Sequence, residues 1–234
     1  MERVHFDQVA DEYYALHARN IGYSGEAPEF FAEYKVKDVA AVMADGAHKP
    51  LQILDFGAGV GNSLPYWRRY FPKSVIVGAD VSSRSLMLAV RRFPGVAALV
   101  VFDGERLPFG DGSFDAAFAA NVFHHIRSKE HDKHIRDLFR VLRPGGRFFL
   151  FEHNPSNPLT VHAVNTCEFD RDAELVPPRL AQRHLQSAGF DHIEIRYRIF
   201  FPHFLRGLRP LEKWLTALPL GAQYCAIATR PAAG

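Results

Sequence analysis

Leu51-Gln52-Ile53-Leu54-Asp55-Phe56-Gly57-Ala58-Gly59-Val60-Gly61-Asn62 is an apolar run that ends in an acid and passes into glycines at alternate positions. A helical pattern follows. The stretch reads as a buried strand, a tight turn and a helix N-terminus. Glycine lets backbone take φ > 0 without strain and approach a ligand closely. Helix N-termini and the open ends of parallel strands are where α/β sheets bind nucleotides.

Outward from this turn the chain alternates strand and helix. Strands are expected at 51–55, 74–79, 96–102, 113–119 and 147–152, with helices at 62–70, from Ser82 or Ser83 to 93, and 129–142. Such alternation implies an α/β fold, doubly wound around a mostly parallel sheet. After Glu152 the alternation breaks, and 153–178 shows no clear period. A helix at 179–188 and strands at 190–200 and 223–229 follow, the last two expected to form an antiparallel C-terminal edge. Upstream, apolar residues recur at helical spacing from Val4 to Leu16 and from Phe30 to Val42, across a loop through Gly22, Gly25 and Pro28. The expected organisation is a helical arm or lid over 1–45 and one domain over 46–234.

Composition narrows the function. With 47% hydrophobic residues and 20 Phe, the 234-residue chain can bury a large core. No apolar run reaches the ~18 residues of a spanning helix, and residues 1–7 lack a signal pattern. Two cysteines without CxxC spacing argue against a disulfide scaffold and favour the cytoplasm. A net charge of +2 gives no electrostatic footprint for nucleic acid. The oligomeric state is not legible.

Asp55, Asp80 and Asp103 each fall at or just past the end of a successive strand, so a parallel sheet projects all three from one edge. A row of carboxylates repels phosphate, and no Gly-Lys-Ser/Thr follows the turn, which excludes a P-loop. A dinucleotide fingerprint would place its third glycine at 62, where Asn62 stands. A cationic ligand with a ribose and an adenine fits better.

Asp55–Gly61 resembles the first motif of class I S-adenosylmethionine-dependent methyltransferases, and Asp80 matches the acid that ends their second strand. Asp103–Asp115, Asn121-Val122-Phe123-His124-His125-Ile126 and Arg140–Gly146 match in kind and order. The similarity spans roughly 51–152 and is closest to the small-molecule, type 11-like branch. It implies a Rossmann-like, seven-stranded methyltransferase fold with S-adenosyl-L-methionine as cofactor and S-adenosyl-L-homocysteine as product. By the same resemblance, Gly57, Ala58, Gly59 and Gly61 lie against the methionine part and ribose, and Asp55 orders the turn and accepts from the ammonium. Asp80 takes the ribose hydroxyls, Asp103 with Gly104 the adenine amino group, and Val81 and Leu86 the adenine face. Asn121 and Phe123 line the methionine end.

A proton-bearing acceptor needs a base. Candidates are His124 or His125 after the fourth strand and Glu152 or His153 after the fifth, with His125 and His153 preferred as catalytic. No metal site is expected: adjacent His124 and His125 should diverge, and His131 with His134 fits a solvent-facing helix stripe. Acceptor selection should fall to the arm (Tyr13, Tyr14, His17, Tyr23), to 153–178 and to 200–220. Leu211–Leu220 reads first as core, and otherwise as a wall for a hydrophobic or lipid-like acceptor or a membrane-touching surface. The expectation is methyl transfer to a small molecule, oxygen ranking ahead of nitrogen and carbon. The alternatives are a non-catalytic cofactor-binding partner and, behind it, an NAD(P)-dependent oxidoreductase.

Overall fold

The computed structural model describes residues 25–44, 49–167, 170 and 172–232. The first expected helix, Tyr13, Tyr14, His17 and Tyr23 lie outside the described residues. The order is α1 (Pro28–Val42), β1 (Gln52–Phe56), α2 (Leu64–Tyr70), β2 (Val75–Asp80), α3 (Ser83–Arg92), β3 (Ala98–Val101) and β4 (Phe114–Ala120). Then come α4 (His131–Val141), β5 (Leu142–His153), α5 (Pro158–Thr166), α6 (Pro178–Ser187), β6 (Asp191–Arg198), a 3-10 stretch His203–Leu211, α7 (Glu212–Leu215) and β7 (Gln223–Thr229).

The seven strands form one sheet in the order β3-β2-β1-β4-β5-β7-β6. β1 to β5 are mutually parallel, and β7 runs antiparallel to both β5 and β6. The expected antiparallel strand is therefore β7, inserted between β5 and β6 so that β6 closes the edge.

Central strands are buried on both faces, which is why their sequences read as continuous apolar runs. Alternate residues feed opposite layers. Ile53, Phe149, Phe151 and Ile227 meet Val36 and Val39 of α1 and Leu64 and Trp67 of α2. Leu54, Phe148, Leu150 and Ala226 meet Ile135 and Leu138 of α4 and Ala181 and Leu185 of α6. Ser82 caps α3, its hydroxyl accepting from Ser85 N–H.

Two expectations change. The aperiodic segment contains α5, a helix capped by Asn157, whose side chain accepts from Thr160 N–H, with Pro158 at its first turn. Residues 211–220 are not core. Phe204, Leu205, Leu208, Leu211, Trp214, Leu218 and Leu220 are all exposed, on the 3-10 stretch, on α7 and on the turns after it.

β1 has β2 on one side and β4 on the other, with chain connections running in opposite directions from it. That switch point, at the carboxyl ends of β1 and β4, is where an α/β sheet places its ligand.

Candidate cofactor and acceptor site at the strand ends

The glycine turn after β1 is anchored by Gly57 and Ala58 N–H groups, which donate to Ala79 O at 2.8 and 3.2 Å. Gly57, Gly59 and Gly61 have φ of 74°, 51° and 80°. Their needs differ. A Cβ on Gly57 would sit 2.4 Å from Val122 Cγ2, and one on Gly61 2.9 Å from Ala89 Cβ, so packing forbids a side chain at both. A Cβ on Gly59 would meet only Gly57 O, at 4.0 Å. Gly59 is thus bare backbone beside open space, which a ligand can approach.

Asp80 faces this backbone. Its Oδ2 accepts from Gly59 N–H and its Oδ1 from Ser82 N–H, both at 2.8 Å, and these bonds fix the carboxylate's orientation. Asp55 is buried, its Oδ2 accepting from Trp67 Nε1–H at 2.9 Å. Burial pushes its carboxyl up to about 7, against the Trp67 bond and with help from nearby Asp80. Asp103 stands exposed, and backbone N–H groups of Glu105 and Arg106 hold it below the usual carboxylate range. Gly104 backs onto Val81, a Cβ there lying 3.4 Å from Val81 Cγ1. Val81 and Leu86 are both buried.

Asn121, at the carboxyl end of β4, has a φ of 57°. Its N–H donates to Phe151 O at 2.8 Å, while its side-chain Oδ1 is buried without a hydrogen-bond partner among the described residues. That oxygen is left able to accept a hydrogen bond from a ligand. Phe123 points elsewhere. Its ring packs against Phe56, His131 and Phe148 in the core, so the methionine-end role expected for it could fall only to its backbone.

Beside Asn121 lies a second cluster. Glu152 Oε1 accepts from Val122 and Phe123 N–H at 3.0 and 2.8 Å, and Glu152 Oε2 pairs with His124 Nδ1 at 2.6 Å. His124 Nε2 and His125 Nε2 lie 3.6 and 3.5 Å from Asp170 Oδ1. The rings of His124 and His125 are 4.1 Å apart between centroids, those of His124 and His153 5.1 Å. Burial disfavours charge on His124, but Glu152 and Asp170 raise it to about 10. Burial, with the charge on His124, lowers His125 to about 3 and His153 to about 4. Against burial, His124 holds both Glu152 and Asp170 below the usual range. The result is a buried imidazolium between two carboxylates, flanked by two neutral imidazoles.

His131 and His134 are not a solvent stripe. With Ile135 and Leu138 they form the buried side of α4. His131 Nε2 lies 2.9 Å from the carbonyls of both Phe123 and Ile126, and the ring of His134 packs on that of Phe56.

Two residues of this region were not singled out from sequence. Asp170 arrives from the segment after α5 and carries no local signal. Lys35 does carry one: it sits on the buried stripe Phe31-Lys35-Val39 of α1. Burial lowers its amine to about 8 while Glu152 opposes the shift.

Residues 54–150 match the family model described as a methyltransferase domain. The demethylmenaquinone methyltransferase of Thermus thermophilus is 35% identical over 109 residues, 45% of this chain and 49% of that protein. A ubiquinone/menaquinone biosynthesis C-methyltransferase of Photorhabdus laumondii is 28% identical over 165 residues, 68% of this chain and 63% of that protein. The matched part is thus about half to two thirds of the length of these relatives. A methyltransferase structure from Thermotoga maritima, described as a possible histamine N-methyltransferase, superposes with a TM-score of 0.66 at 16% identity. It covers 97% of this chain and 98% of that one, a likeness of fold.

Proposed function

We propose, from the premise that residues 54–150 are a domain of the S-adenosylmethionine-dependent methyltransferase class, that this chain methylates a small, hydrophobic acceptor. The observation that carries the reading is Gly59 N–H held on Asp80, together with the unsatisfied Asn121 Oδ1 at the end of the neighbouring strand β4. Bare backbone, an oriented carboxylate and an orphaned acceptor suit a ligand rich in hydroxyl and ammonium donors. S-adenosylmethionine is such a ligand, and when bound it supplies an electrophilic methyl on sulfur.

In this reading Asp80 receives the ribose hydroxyls, and the glycine turn with Asn121 holds the amino-acid end. Asp103, Gly104, Val81 and Leu86 form the adenine side. His125 positions the acceptor atom and His153 takes its proton at a ring nitrogen. A His153 held near 4 is a weak base, which favours an acidic oxygen, as in a phenol or enol, over an alcohol. A second reading, carbon as the target atom, is favoured by the quinone C-methyltransferases among the relatives. A hydroquinone ring unites the two, since its ionised oxygen activates the adjacent ring carbon.

Calorimetric titration with S-adenosylhomocysteine tests the cofactor half. Asp80→Ala should weaken binding ~10-fold or more, since a hydrogen bond to a charged group contributes about 1.5–3 kcal/mol. Unchanged affinity removes Asp80 from the site. Incubation with S-adenosylmethionine and a panel of phenols and hydroquinones, followed by NMR of the product, tests the acceptor half and assigns oxygen or carbon.

A further inference from the structure

We propose that His124 Nε2, His125 Nε2 and Asp170 Oδ1 form a binding site for a divalent transition metal of the zinc type. The three atoms converge from two segments 45 residues apart in sequence, and all lie within 4.8 Å of one another.

The distances distinguish this arrangement from a hydrogen-bonded one. Asp170 Oδ1 stands 3.6 Å from His124 Nε2 and 3.5 Å from His125 Nε2. Good N–H···O bonds span 2.7–3.2 Å, so these separations are long for direct bonding. They match the edge of a coordination tetrahedron. With metal–ligand bonds of about 2.1 Å, neighbouring ligand atoms lie about 3.4 Å apart.

The outer partner of one ligand is already in place. Ligating histidines almost always give their second ring nitrogen to a carboxylate or carbonyl, which sets the tautomer. His124 Nδ1 is 2.6 Å from Glu152 Oε2, and Glu152 is itself held by the N–H groups of Val122 and Phe123. An incoming metal would displace the Nε2 proton of His124, leaving Nδ1–H on Glu152 and a lone pair on Nε2 facing Asp170. Charge agrees as well: a dication that displaces the His124 proton would replace that positive charge between Glu152 and Asp170, two carboxylates withdrawn from water.

Two imidazoles and one carboxylate are the ligand set of catalytic rather than structural sites, which close with four protein ligands. An open position would take an anionic oxygen of the acceptor. That last use rests on the proposed function; metal binding does not.

The probe is Co2+ added to chelator-treated full-length protein. Tetrahedral or five-coordinate Co2+ should give visible absorption bands saturating at one equivalent, displaced by Zn2+. Asp170→Asn and His125→Ala should each weaken binding at least 10-fold. Asp170→Asn is nearly isosteric, so a circular-dichroism melt close to wild type separates lost binding from lost fold. His184→Ala, outside the cluster, should bind as wild type does. No saturable Co2+ spectrum up to millimolar metal, or one indifferent to Asp170→Asn and His125→Ala, overturns the site. S-adenosylhomocysteine titration of Asp170→Asn should match wild type, so failure of the cofactor reading and failure of the metal site register in different measurements.

Discussion

Along β1, β2 and β3 each polar group of the site lies at or just past the end of its own strand. Asp55 lies within β1, Asp80 closes β2 and Asp103 sits two residues past β3. Along β4 and β5 the polar groups come from several elements. His124 and His125 follow β4, Glu152 and His153 end β5, Asp170 arrives from beyond α5, and Lys35 comes from α1. The first side is repeated local geometry. The second exists only once distant segments pack. The contrast teaches where the two sides are fragile: the first depends on backbone conformation, the second on compensation between buried charges.

The largest expected effect is a break in the first side. Gly57→Ala puts a Cβ 2.4 Å from Val122 Cγ2 at a φ of 74°. Left-handed strain and overpacking together should remove about 3 kcal/mol or more from unfolding stability in urea. Gly59→Ala has the strain without the clash, so it should cost about 1–2 kcal/mol. Equal losses at the two positions would show that the turn is not divided into packing and ligand-facing glycines.

Glu152→Gln should break the second side by about 3 kcal/mol, because it removes one of the two carboxylates that compensate the His124 imidazolium. A loss below about 0.5 kcal/mol would mean that His124 is not charged there.

Asp55 sharpens the comparison through pH. Its folded-state value is raised from 3.8 to about 7, chiefly by burial. The folded protein therefore holds a proton that the unfolded chain loses, and stability from this group is full below about 4 and lost as pH rises through 7. The stability of wild type minus that of Asp55→Asn should fall across pH 4–7 and then level off, as measured by thermal melts at several pH values. A flat difference would place Asp55 in contact with water.

The smallest effect is expected where neither side is touched. Phe204 is 80% exposed on the 3-10 stretch, so Phe204→Ser should change stability by less than about 0.5 kcal/mol. A larger loss would show that the segment packs against something.

The sequence read the fold well because strands buried on both faces must be apolar, and because helices need caps and stops that local chemistry supplies. Asn157-Pro158 shows the same rule inside an otherwise aperiodic stretch: a cap followed by a proline opens α5. His131 and His134 show the opposite failure. Polar residues at helical spacing suggest a solvent-facing stripe, yet backbone carbonyls of Phe123 and Ile126 take His131 Nε2 in the interior, and no local pattern reveals that partner. Residues 211–220 failed for a third reason, since apolar composition does not say whether a segment can reach the core.

By itself the sequence determined the alternation of strands and helices, the glycine turn and the acids at or beside the ends of successive strands, all of which depend on neighbours within a few residues. Tertiary structure alone decided that β7 enters between β5 and β6 and that Asp170 meets His124 and His125. Those outcomes turn on which apolar faces pack together across long stretches of chain, and a carboxylate 45 residues from its imidazole leaves no periodic trace.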